Sequence, residues 1–245
     1  MRVHRFQIVT CVATTWVLFA AATPLAAAFP RLHRGKFPPD LAEILAHMDD
    51  SSKRLKTLSA KLEYTKVTVL VDDKSTESGE IFFHKIKNPE ILINIQKPDS
   101  KTILFKKNRA EIYIPKINQI QEYDLDQHSE LVQRFLLLGF GKESGDLSGD
   151  LKKDYDLKLI GEEEIDGDTT AILELIPRRE DIAAHLGKVD LWVSEESWFP
   201  VQQKFFEPGG DYLVARYTGV KVNRAIPAST FQLQADENAK RVRVH

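Results

Sequence analysis

Histidine and acidic residues are the side chains of this sequence that could bind a metal or take part in catalysis. The seven histidines are spread singly, and no two of them have the HxxxH or HxH spacing of a metal site. No serine lies in a GxSxG motif, and Gly139-Phe140-Gly141 lacks the third glycine of a dinucleotide loop because Ser144 stands in its place. The acidic run 162–168 does not have the oxygen spacing of a calcium loop. The sequence therefore predicts no catalytic residue, no metal and no cofactor, and the protein is not expected to be an enzyme.

The N-terminal segment, residues 1–28, has the pattern of a secretory signal peptide. Arg2 and Arg5 give it a basic start, residues 8–22 are mostly apolar, and residues 26–28 are small alanines that suit cleavage. The apolar run is too short to cross a membrane as a helix. We therefore expect a cleaved signal peptide and a mature protein that starts near Phe29, with an uncleaved anchor as the alternative.

The remaining residues, 29–245, are expected to form a single domain. They contain no Pro/Gly/Ser-rich linker, no repeat and no low-complexity tract. The net charge is −2 for the full chain and becomes −4 when Arg2 and Arg5 are removed, so the basic excess of a nucleic-acid-binding protein is absent. Cys11 is the only cysteine and lies in the predicted signal, so the mature chain would have no thiol, which suits an oxidising compartment.

Alternation of apolar and polar residues predicts one large curved antiparallel sheet. The clearest part is a meander of three strands, at Lys188–Ser194, 201–207 and Tyr212–Val222, joined by turns. Asp166-Gly167 is the strongest short hairpin signal of the chain. The same pattern indicates further strands at 62–71, 79–85, 91–95, 102–106, 111–115, 119–125, 155–160 and 169–176.

Two segments have the spacing of helices. Asp40 and Glu43 form a pair like a capping box, and apolar residues from Leu41 to Leu58 follow on one helical face, which must pack on the sheet. Residues 128–140 are very apolar and predict a short second helix, whereas residues 143–154 are polar and Gly-rich and predict a loop.

The apolar helices and strands have two interpretations. They can form the plain core of an α+β domain, or the helices can cover an apolar cavity in the curved sheet that is suited to acyl chains. Periodicity alone cannot separate the two, because core and cavity walls show the same apolar stripes.

The segment 79–125 resembles the opening half of the LolA-type outer-membrane lipoprotein carriers. The shared features are a strand that begins with glycine, a proline-broken turn at Asn88-Pro89, a second proline at Lys97-Pro98 and a hairpin at 107–109. Segments 189–194, 198–200, 209–210 and 223–231 resemble the closing half, and 151–177 looks like the outer-membrane lipoprotein-sorting proteins of the same superfamily, which includes LolB and RseB. The resemblance implies a mainly β, α+β fold: an incomplete antiparallel β-barrel, or strongly curved sheet, with α-helices that form a lid over an apolar cavity.

The same resemblance implies a periplasmic carrier that binds the acyl chains of lipoproteins or lipids and shuttles them toward the outer membrane. The implied partners are those acyl chains, an inner-membrane transporter as donor and an outer-membrane acceptor, with a monomeric protein and no nucleic acid. The carriers have an arginine before the proline, which pairs with lid carbonyls, whereas this chain has Asn88, which lacks a charged guanidinium. The alternative therefore stays open that the protein is a periplasmic module that senses lipid or lipoprotein in envelope-stress signalling.

Strand alternation selects the side chains that would face the cavity. Ile91, Ile93 and Ile95 share one face of a strand. Three isoleucines are not expected on a fully solvated face, so we place them on the inward one. Binding is expected to move the lid and the first helix away from the sheet. The full set of predicted lipid-binding residues is Ile91, Ile93, Ile95, Ile103, Phe105, Ile112, Ile114, Leu173, Leu175, Leu191 and Val193 in the sheet, and Phe135, Leu136 and Leu138 in the lid.

Overall fold

A computed structural model describes residues 39–125 and 146–244 of the chain. Twelve strands of these residues form one sheet that does not close. The strands are β1 (Thr57–Thr68), β2 (Asp73–His84), β3 (Glu90–Lys97), β4 (Lys101–Lys106), β5 (Arg109–Ile114), β6 (Gln119–Asp124), β7 (Tyr155–Ile165), β8 (Asp168–Pro177), β9 (Lys188–Ser194), β10 (Pro200–Phe206), β11 (Tyr212–Val222) and β12 (Lys240–Val244). The helices are α1 (Leu41–Arg54), α2 (Leu147–Asp154) and α3 (Glu180–Ala183).

The sheet consists of two antiparallel meanders that meet at one seam. Its strand order is β12-β6-β5-β4-β3-β2-β1-β11-β10-β9-β8-β7, so β1 to β6 form one meander and β7 to β11 the other, with β1 beside β11. The β12 strand pairs with β6 in parallel, and the other neighbours are antiparallel. The predicted fold class, a mainly β protein with an incomplete antiparallel barrel and a few helices, is confirmed.

Helix α1 begins where its capping residues predict. The side chain of Asp40 accepts a hydrogen bond from the backbone N–H of Glu43 at 2.8 Å. Ile44, Leu45 and Met48 are at most 2% exposed and pack in the main core. The helix ends at Arg54 rather than at Leu58, because β1 already begins at Thr57.

Helix α2 corrects the prediction of a polar loop at 143–154. Asp146 caps it by accepting a hydrogen bond from the backbone N–H of Gly149 at 2.9 Å. Leu147 and Leu151 lie one helical turn apart and are both buried. The cap and this buried pair outweigh the low helix propensity of Gly149.

The core lies on both faces of the sheet. We call the face that carries α1 and the main core cluster the inner face, and the opposite one the outer face. On the outer face a smaller cluster joins Leu92 and Leu104 to Phe231, which belongs to a 3-10 turn at Ala228–Phe231. The expectation of half-buried strands is wrong for β9, because every residue of this strand after Lys188 is buried.

Candidate ligand-binding cavity

An apolar cavity of about 190 Å³ lies on the inner face of the sheet. Its walls come from seven strands. Five of them belong to the first meander, β1 to β5, and two belong to the second, β10 and β11. Most of the wall is aliphatic or aromatic. The lining residues are Leu62, Tyr64, Glu77, Ile81, Ile93, Ile95, Lys101, Ile103, Phe105, Ala110, Ile112, Gln203, Phe205, Ala215 and Tyr217.

The strand register places the isoleucines of the wall side by side. Ile93 of β3 is paired with Ile103 of β4, and Ile103 is paired in turn with Ile112 of β5. Directly paired residues on neighbouring strands point to the same face, so the three side chains form one apolar row. Ile93 is 5% exposed, whereas Ile103 and Ile112 are half-buried, so the row runs from the core toward the surface.

Helix α1 is held at the end of the sheet where β1 begins. The Lys85 Nζ atom donates to the carbonyl oxygen of Ser52, and the Asn223 Nδ2 atom donates to that of Arg54, both at 3.0 Å. The ring of His47 stacks on Trp198, with 4.2 Å between the ring centroids. These contacts fix the helix to three separate connections of the sheet.

A polar clamp joins α1 to α2. The carboxylate of Asp49 accepts two hydrogen bonds from Ser148, one from the backbone N–H at 2.8 Å and one from the hydroxyl at 2.6 Å. Hydrogen bonds to a charged group are stronger than those between neutral groups. The clamp therefore binds α1 to α2, in addition to the contacts that hold α1 to the connections of the sheet.

One wall of the cavity carries neutral polar groups. The hydroxyl of Tyr217 donates to the side-chain oxygen of Gln203 at 3.3 Å, and Gln203 is only 1% exposed. Burial raises the pKa of Tyr217 above its ordinary value, and the neighbouring Tyr64 raises it further. The phenol therefore stays protonated and remains a hydrogen-bond donor at neutral pH.

The cavity wall also contains one ion pair. The Nζ atom of Lys101 lies 2.7 Å from the Oε1 atom of Glu77, and the two side chains are 31% and 30% exposed. Among the described residues that line the cavity, these are the charged ones.

The structure divides the predicted lipid-binding residues into three groups. Five of them are brought together in the cavity wall: Ile93, Ile95, Ile103, Phe105 and Ile112. Six others lie on the sheet outside this wall. Ile91 packs against the main core, and Ile114 is half-buried. The other four are at most 1% exposed inside the core: Leu173, Leu175, Leu191 and Val193. The lid residues Phe135, Leu136 and Leu138 lie outside the described residues, as does the predicted signal peptide.

Several wall residues were not selected from the sequence. Leu62 and Tyr64 alternate on β1, and Gln203 with Phe205, and Ala215 with Tyr217, alternate on β10 and β11. This alternation is visible in the sequence. The alternation does not show that β1 pairs with β11, and this pairing brings the two meanders together around one cavity.

Residues 39–125 and 146–244 lack two other kinds of site. In these ranges no cluster of three or more His, Cys, Asp or Glu side chains could hold a metal ion. Nor does any helix of the same ranges have the length and apolar character needed to cross a membrane.

Comparison with known proteins gives one family match. Residues 91–225 match a family model that is described only as an uncharacterized protein. No curated protein matches the sequence.

Solved structures share the fold at low sequence identity. An uncharacterized conserved protein from Thermus thermophilus is 12% identical with a TM-score of 0.51, and the match covers 83% of this chain and 98% of that one. A LolA superfamily protein from Nitrosomonas europaea is 16% identical with a TM-score of 0.39, over 80% and 98% of the two chains. At these identities the similarity bears on the fold alone.

A third similar structure is the complex of MucA and MucB from Pseudomonas aeruginosa. It is 13% identical with a TM-score of 0.47, and the match covers 78% of this chain. This chain spans 60% of the length of that chain.

Proposed function

The chain belongs to the uncharacterized family whose model matches residues 91–225, and we propose that it is a periplasmic carrier that binds acyl chains of lipids or lipoproteins in its inner-face cavity. The observation that carries this proposal is the apolar cavity of about 190 Å³ with its row of isoleucines. A concave apolar surface of this kind gains free energy from a hydrocarbon ligand and offers little to a polar one.

The size of the cavity sets the strength of binding. A methylene group is about the size of a water molecule, which takes about 30 Å³. The cavity of about 190 Å³ therefore has room for roughly six methylene groups. Burial of six methylene groups at ~0.8 kcal/mol each contributes about 5 kcal/mol before the cost of association. Association itself costs at least about 4 kcal/mol, so six buried methylene groups alone give weak, reversible binding, and tighter binding requires more of the acyl chain to be buried.

A longer acyl chain requires the cavity to enlarge, because ligand pockets usually measure about 300–1,000 Å³. We propose that it enlarges near the half-buried Ile103 and Ile112. Helix α1 is held by Trp198, by Asn223 and by the clamp from Ser148, so it stays in place. This differs from the expectation that α1 moves with the lid.

We propose that residues 1–28 are removed on export and that 29–245 form the mature single-domain protein. Phe135, Leu136 and Leu138 would contact the bound chain as a lid. A donor in the inner membrane and an acceptor in the outer membrane complete the proposed route.

The experiment that tests this function is analysis of the ligand that copurifies with the protein. The mature protein is purified without detergent, its organic extract is examined by mass spectrometry, and a fluorescent fatty acid is titrated into the delipidated protein. We expect an acyl lipid in the extract and saturable binding of the probe. A lipid-free extract together with no binding of the probe would contradict the carrier function.

A further inference from the structure

The ion pair between Glu77 and Lys101 faces the cavity, although both side chains lie in a largely apolar wall. Glu77 of β2 is paired with Tyr64 of β1, and Tyr64 also lines the cavity. Lys101 of β4 is paired with Ile95 of β3, another wall residue. The two charged side chains therefore point to the inner face together with their apolar neighbours.

The ion pair crosses over the strand between its two members. Strand β3 lies between β2 and β4, so the 2.7 Å contact between Lys101 and Glu77 passes above β3 near Ile95. The register of β2 with β3 shifts between Ser78 and Gly79, and a Cβ atom on Gly79 would come within 2.0 Å of the Asn94 carbonyl oxygen. This close approach draws β2 toward β3 directly beside Glu77.

Stability alone gives little reason for an ion pair at this place. A pair that is about 30% exposed on each side typically contributes between 0 and about 1 kcal/mol, and an apolar pair would extend the isoleucine wall instead. The pair does place one positive and one negative charge next to each other, in the wall of a cavity suited to an acyl chain.

We propose that this pair binds the zwitterionic head group of an amphiphile, such as a phosphoethanolamine or phosphocholine lipid. The phosphate would accept hydrogen bonds from Lys101, the ammonium group would lie against Glu77, and the acyl chain would extend along Ile95 and Ile103. This assignment rests on the proposed carrier function and names the class of its ligand.

Charge balance selects a zwitterion over a singly charged head group. An anionic head group could pair with Lys101 only while it lies within a few ångströms of the Glu77 carboxylate, and a cationic one meets the reverse problem with Lys101. Either would leave one partly buried charge without a partner, which costs free energy. A zwitterion satisfies both charges at once.

The test compares four amphiphiles with the same dodecyl chain by isothermal titration calorimetry below their micelle concentrations. They are dodecylphosphocholine (zwitterionic), dodecyl phosphate (anionic), dodecyltrimethylammonium (cationic) and dodecyl maltoside (uncharged). For the wild type we expect the zwitterion to bind about tenfold more tightly than the other three, because its phosphate accepts hydrogen bonds from Lys101 while its quaternary ammonium is attracted to the Glu77 carboxylate. Lys101→Gln should shift the preference about tenfold toward the cation, and Glu77→Gln about tenfold toward the anion.

A matched control is available on β3 and β4. Lys106 and Glu90 form an ion pair at 2.6 Å that does not line the cavity, so Lys106→Gln should leave the order of the four affinities unchanged. If a single variant fails to fold by circular dichroism, the double variant Glu77→Gln/Lys101→Gln is measured and should bind the zwitterion and the maltoside equally.

The results separate this inference from the carrier function. If the wild type binds all four amphiphiles alike, or if the variants keep the wild-type order, the head-group assignment is wrong while acyl-chain binding stands. If none of the four binds, both the assignment and the carrier function are refuted.

Discussion

Replacement of Ile103 by tryptophan should block part of the cavity and weaken acyl-chain binding. Ile103 lies in the middle of the isoleucine row, between Ile93 and Ile112, and is half-buried. The larger side chain can therefore enter the cavity from its accessible end without displacing a fully buried neighbour. Some loss of stability is expected, because added volume in a packed region typically costs about 1–3 kcal/mol.

The magnitude follows from the cavity volume. The cavity has room for about six methylene groups, at about 30 Å³ each. If the indole takes the place of about three of them, the loss is ~2.4 kcal/mol at ~0.8 kcal/mol per methylene. At about 1.4 kcal/mol for each factor of ten, acyl-chain affinity should fall about fiftyfold.

The assay is titration of a fluorescent fatty acid, with urea unfolding as the measure of stability. Thr102→Trp is the matched control, because Thr102 precedes Ile103 on β4, is equally half-buried, and points to the outer face. Its affinity should stay within about twofold of the wild type, since the cavity is untouched. Equal losses in both variants, or unchanged affinity in folded Ile103→Trp, would show that the cavity is not the binding site.

Other substitutions separate the roles of core, clamp and cavity. Leu191→Ala should lower the free energy of unfolding in urea by about 2–5 kcal/mol and leave acyl-chain affinity unchanged, because Leu191 is 1% exposed in the core; a loss of affinity in the folded variant would place it in the site. Phe231→Ala should cost about 3–5 kcal/mol by removing the centre of the outer-face cluster, and a cost under 1 kcal/mol would mean that this cluster does not support the sheet. Ser148→Ala should cost about 1–3 kcal/mol through the lost hydroxyl bond to Asp49, and a neutral effect would show that the clamp is not formed in solution. Above pH 10 an unfolded tyrosine loses its proton while Tyr217, with its raised pKa, keeps it, so stability falls as the pH rises. Tyr217→Phe should reduce that slope by up to ~1.4 kcal/mol per pH unit, and an unchanged slope in urea titrations would refute the raised pKa of the phenol.

Alternation and turn residues were sufficient to predict much of the sheet. The predicted bounds of β9, Lys188–Ser194, and β11, Tyr212–Val222, are those of the structure. The hairpin at Asp166-Gly167 is also confirmed, with φ of 53° and 84° at the two residues, as a tight two-residue turn requires. These features could be predicted because they depend on residues that are close to each other in the sequence.

Features that depend on distant contacts could not be predicted. Strand β12 contains only two apolar residues, Val242 and Val244, and it forms because its backbone pairs with β6. Leu173 and Ile93 have the same alternating pattern, yet the first is enclosed by the core and the second lines the cavity. The difference depends on which strand or helix packs against each side chain, and the sequence of a single strand does not show its packing partners.

The seam between β1 and β11 has a consequence for the order in which the protein folds. Each meander can pair locally, whereas the seam joins positions as far apart as Lys56 and Asn223, which are separated by 167 residues. Contacts at such separations form late, because the entropy of closing the intervening chain must be lost first. Until β11 arrives, the edge of β1 exposes unpaired N–H and C=O groups to other chains. A nascent or truncated chain that ends before Tyr212 should therefore aggregate through β1, and protection of this edge would be most needed just before the last strands emerge.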